Sequence, residues 1–215
     1  HKNCVGILNG CDTKFFSISG GKYKALEKYE KPLWLYVGRI TTEKNVLILN
    51  DLNDKLDGTI ITVGDGPEKK KLNKSKIVNL GWVVGDRLSQ IYRSCDFFIF
   101  PSKTDTFGQV MVEAMASGLP VAAYNVIGPN DVVIHNKTGY LSDNIERSCQ
   151  EVLKLKKKSE NIAENCVNHS QLFSWDTMIQ ELIKCQPNSN RNYYLQYHFI
   201  FIMFYLFFYS LSYAY

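Results

Sequence analysis

The chain reads as an α/β protein: a doubly wound parallel sheet with helices on both faces, and three observations predict it. Short β-rich runs alternate with helical patterns along most of its 215 residues. Hydrophobic residues make up 45% of the sequence, enough for a full core. Loops rich in glycine and polar residues directly follow three of the β-rich runs, at the carboxyl edge where such sheets bind ligands.

The strands are expected at Leu33–Val37, Thr59–Val63, 77–80, Phe97–Phe100 and Val121–Tyr124, runs dominated by β-branched and aromatic residues. Helical patterns fall near 44–56, 67–75, 86–94, 108–117, 129–135 and 146–157. Residues 159–184 also look helical, with Trp175 packing against the domain. Gly38-Arg39, Gly64-Asp-Gly66 and Pro101-Ser-Lys-Thr-Asp105 each leave a predicted strand, so all three should converge on one cleft.

The most informative stretch runs from Pro101 to Val121, because it holds two carboxylates, Asp105 and Glu113, around a helix start. Asp105 or Thr106 is placed to cap that helix, and Val110, Met111, Ala114 and Met115 form its buried stripe. Gly118 and Pro120 stop it. On a continuous helix the two acids would lie roughly 12 Å apart along the axis, about the length of a nucleotide sugar. The N–H groups of Phe107 and Gly108 would face an anion between them, and Gly108 lets a ligand approach the main chain.

The formal charge of +4 is modest, which speaks against a nucleic-acid partner. The basic runs Lys69-Lys-Lys71 and Lys154-Leu-Lys-Lys-Lys158 read as solvated helix faces, with an anionic membrane surface as the alternative. Six cysteines show no Cys-x-x-Cys pair and no matching histidine spacing, which favours reduced thiols and a cytoplasmic setting over a zinc site or disulfide framework. His135 and His169 have no evident partners and are read as structural or surface residues. The first residue is His1, so the chain is expected to begin partway through a longer protein. After Pro187 a polar stretch leads into Tyr193–Tyr215, long and apolar enough to span a bilayer but interrupted by Gln196, His198 and serines. It is read either as a membrane anchor or as an unassigned extension.

The stretch Thr104-Asp-Thr-Phe-Gly108 with Glu113 resembles the Glu-x7-Glu signature of the family 4 retaining glycosyltransferases, in the subgroup reading Thr-Asp-Thr-Phe-Gly. Asp105 stands where that signature has its first Glu, one methylene shorter. Further matches lie in the family's order: Tyr36-Val-Gly-Arg-Ile-Thr-Thr-Glu-Lys-Asn45, Val63-Gly-Asp-Gly-Pro67, Leu80-Gly-Trp82, Gly128-Pro-Asn-Asp131 and Thr138-Gly-Tyr140. They cover about residues 5–185, and so many motifs in register are more specific than any one alone.

The resemblance implies the Rossmann-like C-terminal half of a GT-B enzyme, with residues 1–16 as the interdomain crossing, 17–187 as the nucleotide-sugar-binding domain and 188–215 unassigned. It implies that Gly38, Arg39 and Lys44 hold the donor diphosphate and that Glu113 bonds the ribose hydroxyls. Asp105 would contact the donor sugar, with main-chain donors from Phe107 and Gly108. Gly64 and Gly66 would turn tightly near the nucleotide, unless they form an ordinary strand-to-helix turn. In the family the leaving phosphate helps deprotonate the acceptor, so no enzymic nucleophile is required, and no cofactor besides the donor substrate. No Asp-x-Asp occurs in the sequence, so a cationic site would do the work of a metal. The acceptor, a lipid or polysaccharide by family analogy, would meet a missing N-terminal domain, at or near the cytoplasmic face of a membrane. The alternative is a non-catalytic nucleotide-sugar-binding module, possibly held at a membrane by the tail. A GT-B epimerase or phosphorylase fits the Asp-x7-Glu and Gly-Arg-x4-Lys patterns less well.

Overall fold

The computed structural model describes residues 10–184. The sheet has six parallel strands, β1 (Leu33–Val37), β2 (Thr59–Val63), β3 (Ile77–Asn79), β4 (Phe97–Phe100), β5 (Val121–Tyr124) and β6 (Gly139–Ser142), in the order β3-β2-β1-β4-β5-β6. The helices are α1 (Ile48–Asn53), α2 (Gly85–Ser94), α3 (Gln109–Ala116), α4 (Pro129–Val132), α5 (Ile145–Lys158), α6 (Ile162–Ser170) and α7 (Trp175–Lys184). This is the doubly wound, Rossmann-like architecture expected from the alternating pattern.

Side chains of successive strand residues point to opposite faces, so each strand feeds two cores. On one side Leu35, Ile61, Val63, Phe98 and Phe100 pack with Leu88 and Ile91 of α2, Met111 and Met115 of α3, and Cys166 of α6. On the other, Trp34, Ile60, Phe97 and Ile99 pack with Leu49 and Leu52 of α1 and Cys149 and Val152 of α5. Trp34 stacks on Phe97 with ring centroids 4.5 Å apart and donates its indole N–H to the Asp57 carbonyl at 3.0 Å. Both faces are therefore dry, and β1, β2, β4 and β5 are buried without alternation, apart from half-buried Val37 at the end of β1.

Several elements differ from the sequence expectation. β6 was not expected as a strand, because its Gly-Tyr-Leu-Ser run is short and only every second residue is buried, as befits a sheet edge. The expected helix over 44–56 is broken: a 3-10 turn at Thr42–Lys44 ends at Asn45, which is left-handed at φ 53° and donates its side-chain amide to the Pro101 carbonyl. The 67–75 segment is a 3-10 turn at Pro67–Lys71, and the 159–184 segment is two helices joined by a 3-10 turn at Gln171–Phe173. The end of the described chain is tied to its start. Cys11 donates to the Phe173 carbonyl at 2.7 Å, the Trp175 N–H donates to the Cys11 carbonyl at 3.3 Å, and the Trp175 indole lies against Gly10. The expected tail from Tyr193 lies outside the described residues, as do 1–9 of the expected crossing segment.

Beyond the carboxyl ends of β1 and β2 the two loops lie backbone on backbone. Gly38 donates to the Val63 carbonyl at 3.0 Å and Ile40 to the Asp65 carbonyl at 2.8 Å, continuing the ladder past the strands. A Cβ at Gly64 would sit 2.0 Å from the Gly38 oxygen, and its φ of +136° is closed to other residues. Gly64→Ala is therefore expected to lose about 2 kcal/mol or more of stability in urea unfolding. Gly21→Ala, with nothing within 4 Å of the new methyl, should change little. Equal stability for both variants would show that the two loops part without cost.

Candidate functional site

The strand order reverses direction between β1 and β4, so the loops leaving these neighbours diverge and open a crevice. Lys44, at the end of the 3-10 turn after β1, reaches across it to form an ion pair with Asp105 in the loop after β4. Their side chains are only 18% and 21% exposed, which shields the pair more than a surface salt bridge. Asn45 and Pro101 tie the same two loops a second time. A hollow of about 200 Å³ lies here, bordered by Gly38, Lys44, Ser102, Asp105, Gly108 and Gln109.

A second hollow of about 180 Å³ adjoins it, bordered by Arg39, Gly64, Trp82, Val83, Leu88 and Glu113. The two share Val37, Gly38 and Val110, so they lie side by side along one trough-like crevice. Arg39 is exposed and its nearest acid is Glu43, with 3.6 Å between the charged atoms, so its guanidinium reorients at small cost. Its own carbonyl is fixed by the Tyr36 hydroxyl, which donates to it at 2.7 Å.

Glu113 is 3% exposed on the inner side of the second hollow. The Tyr92 hydroxyl donates to its Oε2 at 2.8 Å. Burial pushes the carboxyl up from 4.5 to about 7, against a smaller lowering by the Tyr92 hydrogen bond. The group is thus poised to ionise near neutrality, and hydroxyl donors from a ligand would favour its charged form.

The expected caps on α3 are absent. The helix starts at Gln109 with left-handed Gly108 as its N-cap and no side-chain cap, so Asp105 and Thr106 precede it in a loop. The ion pair with Lys44 supplies the reason, since it draws Asp105 across the crevice and away from the helix N–H groups. The 12 Å spacing along a helix axis therefore does not apply. Gly108 is required less by a ligand than by the fold, because at φ 71° an added Cβ would meet the Phe100 ring at 2.8 Å. The stripe of α3 is also wider than expected: Val112, Glu113 and Ala116 are buried too, while Val110 is only half-buried and borders both hollows.

Gly38, Lys44, Asp105 and Gly108 thus meet around the first hollow, and Arg39, Gly64 and Glu113 around the second. Phe107 and Gly66 border neither: the Phe107 ring packs on Phe173, and Gly66 faces the Ile40 carbonyl. Both histidines have partners. His135 accepts from the Leu141 N–H at 3.1 Å, and His169 bonds the Val132 carbonyl at 2.9 Å. Trp82, Gln109 and Tyr92 were not expected at the site, although Trp82 carried a signal as part of Leu80-Gly-Trp82; Ser102 lies in the loop Pro101-Ser-Lys-Thr-Asp105 that was expected there.

Residues 31–158 match the family described as Glycosyl transferases group 1. The chain belongs to this family of glycosyltransferases. It is 44% identical over 120 residues to the sulfoquinovosyl transferase SQD2 of Arabidopsis thaliana, covering 52% of this chain and 24% of that one. It is 34% identical over 144 residues to a GDP-mannose-dependent alpha-mannosyltransferase of Corynebacterium glutamicum, covering 64% of this chain and 35% of that one. Among solved structures, Anabaena Alr3699/HepE in complex with UDP superposes with a TM-score of 0.69 at 23% identity, over 83% of this chain and 56% of that one. The chain spans about a quarter to a third of the length of those two curated relatives.

The buried acid gives a pH-dependent stability. A carboxyl raised in the folded state is neutral in both states below about 4.5, so the penalty is absent there. The penalty grows from 4.5 to about 7 and is complete above, on the order of 3 kcal/mol. Glu113→Gln is therefore expected to be the more stable protein at pH 8, with the difference fading toward pH 4.5. A pH-independent difference in denaturant melts would place Glu113 outside a dry environment.

Proposed function

We propose that this chain is the donor-binding half of a GT-B glycosyltransferase of the retaining family 4 branch that reads Thr104-Asp-Thr-Phe-Gly108. The donor is a nucleoside diphosphate sugar. The observation that carries the reading is the trough itself, with Lys44 and Asp105 facing one another in one hollow and Arg39 and Glu113 in the next. One relative is named for GDP-mannose and one neighbour was solved with UDP. A nucleoside diphosphate is common to both.

In this reading the diphosphate lies along the trough against Arg39 and Lys44, with Gly38 between them. The ribose hydroxyls meet Glu113, the base lies toward Gly64, and the sugar meets Asp105 with a main-chain donor from Gly108. Breaking the sugar–phosphate bond builds negative charge on the departing diphosphate. Lys44, held by Asp105 in a partly dry place, stabilises that charge with little reorganisation, and the exposed Arg39 turns to add a second cation, which is why the reading needs no metal. Arginine adds a rigid two-pronged grip on phosphate oxygens. Lys44 is held in place beforehand by Asp105, so the incoming phosphate meets a positioned ammonium, and Asp105 is freed toward the sugar hydroxyls.

Retention follows if the leaving phosphate deprotonates an acceptor hydroxyl on the same face of the sugar. A lipid or polysaccharide acceptor would come from an N-terminal domain with which this chain forms a cleft, at the cytoplasmic face of a membrane. Among the described residues no helix is long and apolar enough to cross a bilayer. Holding acceptor and donor together across that cleft supplies a large share of the rate.

Arg39→Ala should weaken nucleoside diphosphate by roughly 2 kcal/mol while leaving the nucleoside nearly unaffected, because it removes a charge-assisted phosphate contact. Titration calorimetry with UDP against uridine and GDP against guanosine measures the difference. Equal losses for diphosphate and nucleoside would remove Arg39 from the phosphate site.

A further inference from the structure

The inner side of the second hollow holds a contact that the donor reading does not use. Tyr92 is fully buried on α2, its ring stacked near Phe98 of β4 at 6.0 Å and met edge-on by Phe16 at 5.4 Å. Rings above and beside it fix both side-chain torsions. From that fixed position its hydroxyl reaches α3, donating to Glu113 Oε2 at 2.8 Å, with the Val110 carbonyl a distant 3.5 Å away. The phenol has one proton, and the charged acceptor at the shorter distance takes it.

A carboxylate on a helix has a broad terminal torsion and would otherwise turn freely. Tyr92 removes that freedom: with Oε2 held from behind, Oε1 is the oxygen left for a ligand in the hollow. The groups facing Glu113 come from three directions. Tyr92 approaches from α2 and Arg39 shares the hollow from the β1 loop. The thiol of Cys11 lies close enough on the N-terminal segment for the acid to push it further up, beyond the effect of its own burial. Among the described residues, it is Tyr92 that donates a hydrogen bond to the carboxylate.

We propose that Tyr92 is a positioning residue for donor binding: its hydroxyl orients the Glu113 carboxylate and favours its ionised form, so that the acid accepts two ribose hydroxyls. The proposal rests on the donor-site reading above. A vicinal diol presents two donors, and an ionised carboxylate accepts both, whereas a neutral carboxyl keeps one oxygen as a donor. Affinity for a nucleoside diphosphate then rises with pH through the ionisation of Glu113, and losing the Tyr92 hydroxyl moves that rise to higher pH.

The test uses the full chain, with UDP and GDP as probes and inorganic pyrophosphate as the control that lacks a ribose. In wild type, affinity for UDP or GDP should climb across neutral pH more steeply than affinity for pyrophosphate, which shares the ionisation of the phosphates but lacks a ribose to read the state of Glu113. Tyr92→Phe keeps the stacked ring. It should move the midpoint upward by about one pH unit and weaken the nucleotide about fivefold at pH 7, with pyrophosphate unchanged and affinity recovering at high pH. Placing 3-fluorotyrosine at position 92 makes a stronger donor and should move the midpoint down. That opposite shift keeps the proposal open to refutation if the phenylalanine variant folds poorly. Glu113→Ala is measured alongside. If it leaves UDP and GDP binding intact, the donor-site reading itself fails. If it weakens them while neither Tyr92 replacement moves the midpoint, the positioning role is wrong and the site reading stands.

Discussion

The site depends on a main chain that lies on a main chain. A parallel sheet that reverses its winding between β1 and β4 opens a crevice at that point, but an open crevice does not hold side chains in place. Here the loop after β1 is pressed against the loop after β2, with no room for a methyl group between Gly64 and the Gly38 carbonyl. The loop after β4 is held in the same way, since a Cβ at Gly128 would sit 2.2 Å from the Asp105 carbonyl. Arg39, Lys44 and Asp105 therefore stand on a carboxyl edge whose main chain has little freedom, and preorganisation of this kind is what makes fixed charge effective.

The charges on that edge are paired in order of burial. Arg39, in the open, has only a loose surface partner in Glu43. Lys44, largely covered, has Asp105 as a close counter-ion. Glu113, deepest, pairs with no cation among the described residues and accepts from a phenol, which is why burial dominates its ionisation. A buried acid left without a counter-ion weakens the fold above neutral pH, and such a feature persists where a ligand can use it. The trough thus runs from mobile cation to fixed ion pair to poised acid, a sequence suited to a ligand with a doubly charged middle and hydroxyl-rich ends.

Much of the fold was legible because both faces of the sheet are dry. β2, β4 and β5 are buried from end to end and β1 over all but its last residue, and they announce themselves as largely apolar runs, whereas β6 at the edge buries alternate residues and gave no comparable signal. The helix starts were less legible, because tertiary contacts overrode local preference. Asn45 adopts a left-handed conformation while bonding a loop 56 residues away, and Asp105 gives up its capping position to meet Lys44 across 61 residues. The site residues were visible as motifs after strands, but their pairing was not. Nothing local marks Tyr92 as the partner of Glu113, 21 residues on, since a tyrosine in an amphipathic helix reads as core. What distinguishes it is a buried hydroxyl that needs an acceptor, and that requirement appears only in three dimensions.

The most direct test of the account is a diffraction structure of the chain bound to a nucleoside diphosphate sugar. The account predicts a phosphate oxygen at hydrogen-bond distance from Lys44 Nζ, Asp105 turned toward the sugar, and the ribose hydroxyls on Glu113 Oε1 with the Tyr92 bond to Oε2 retained. A nucleotide bound away from the β1–β4 crevice, or one lying in it with its ribose remote from Glu113, would contradict it.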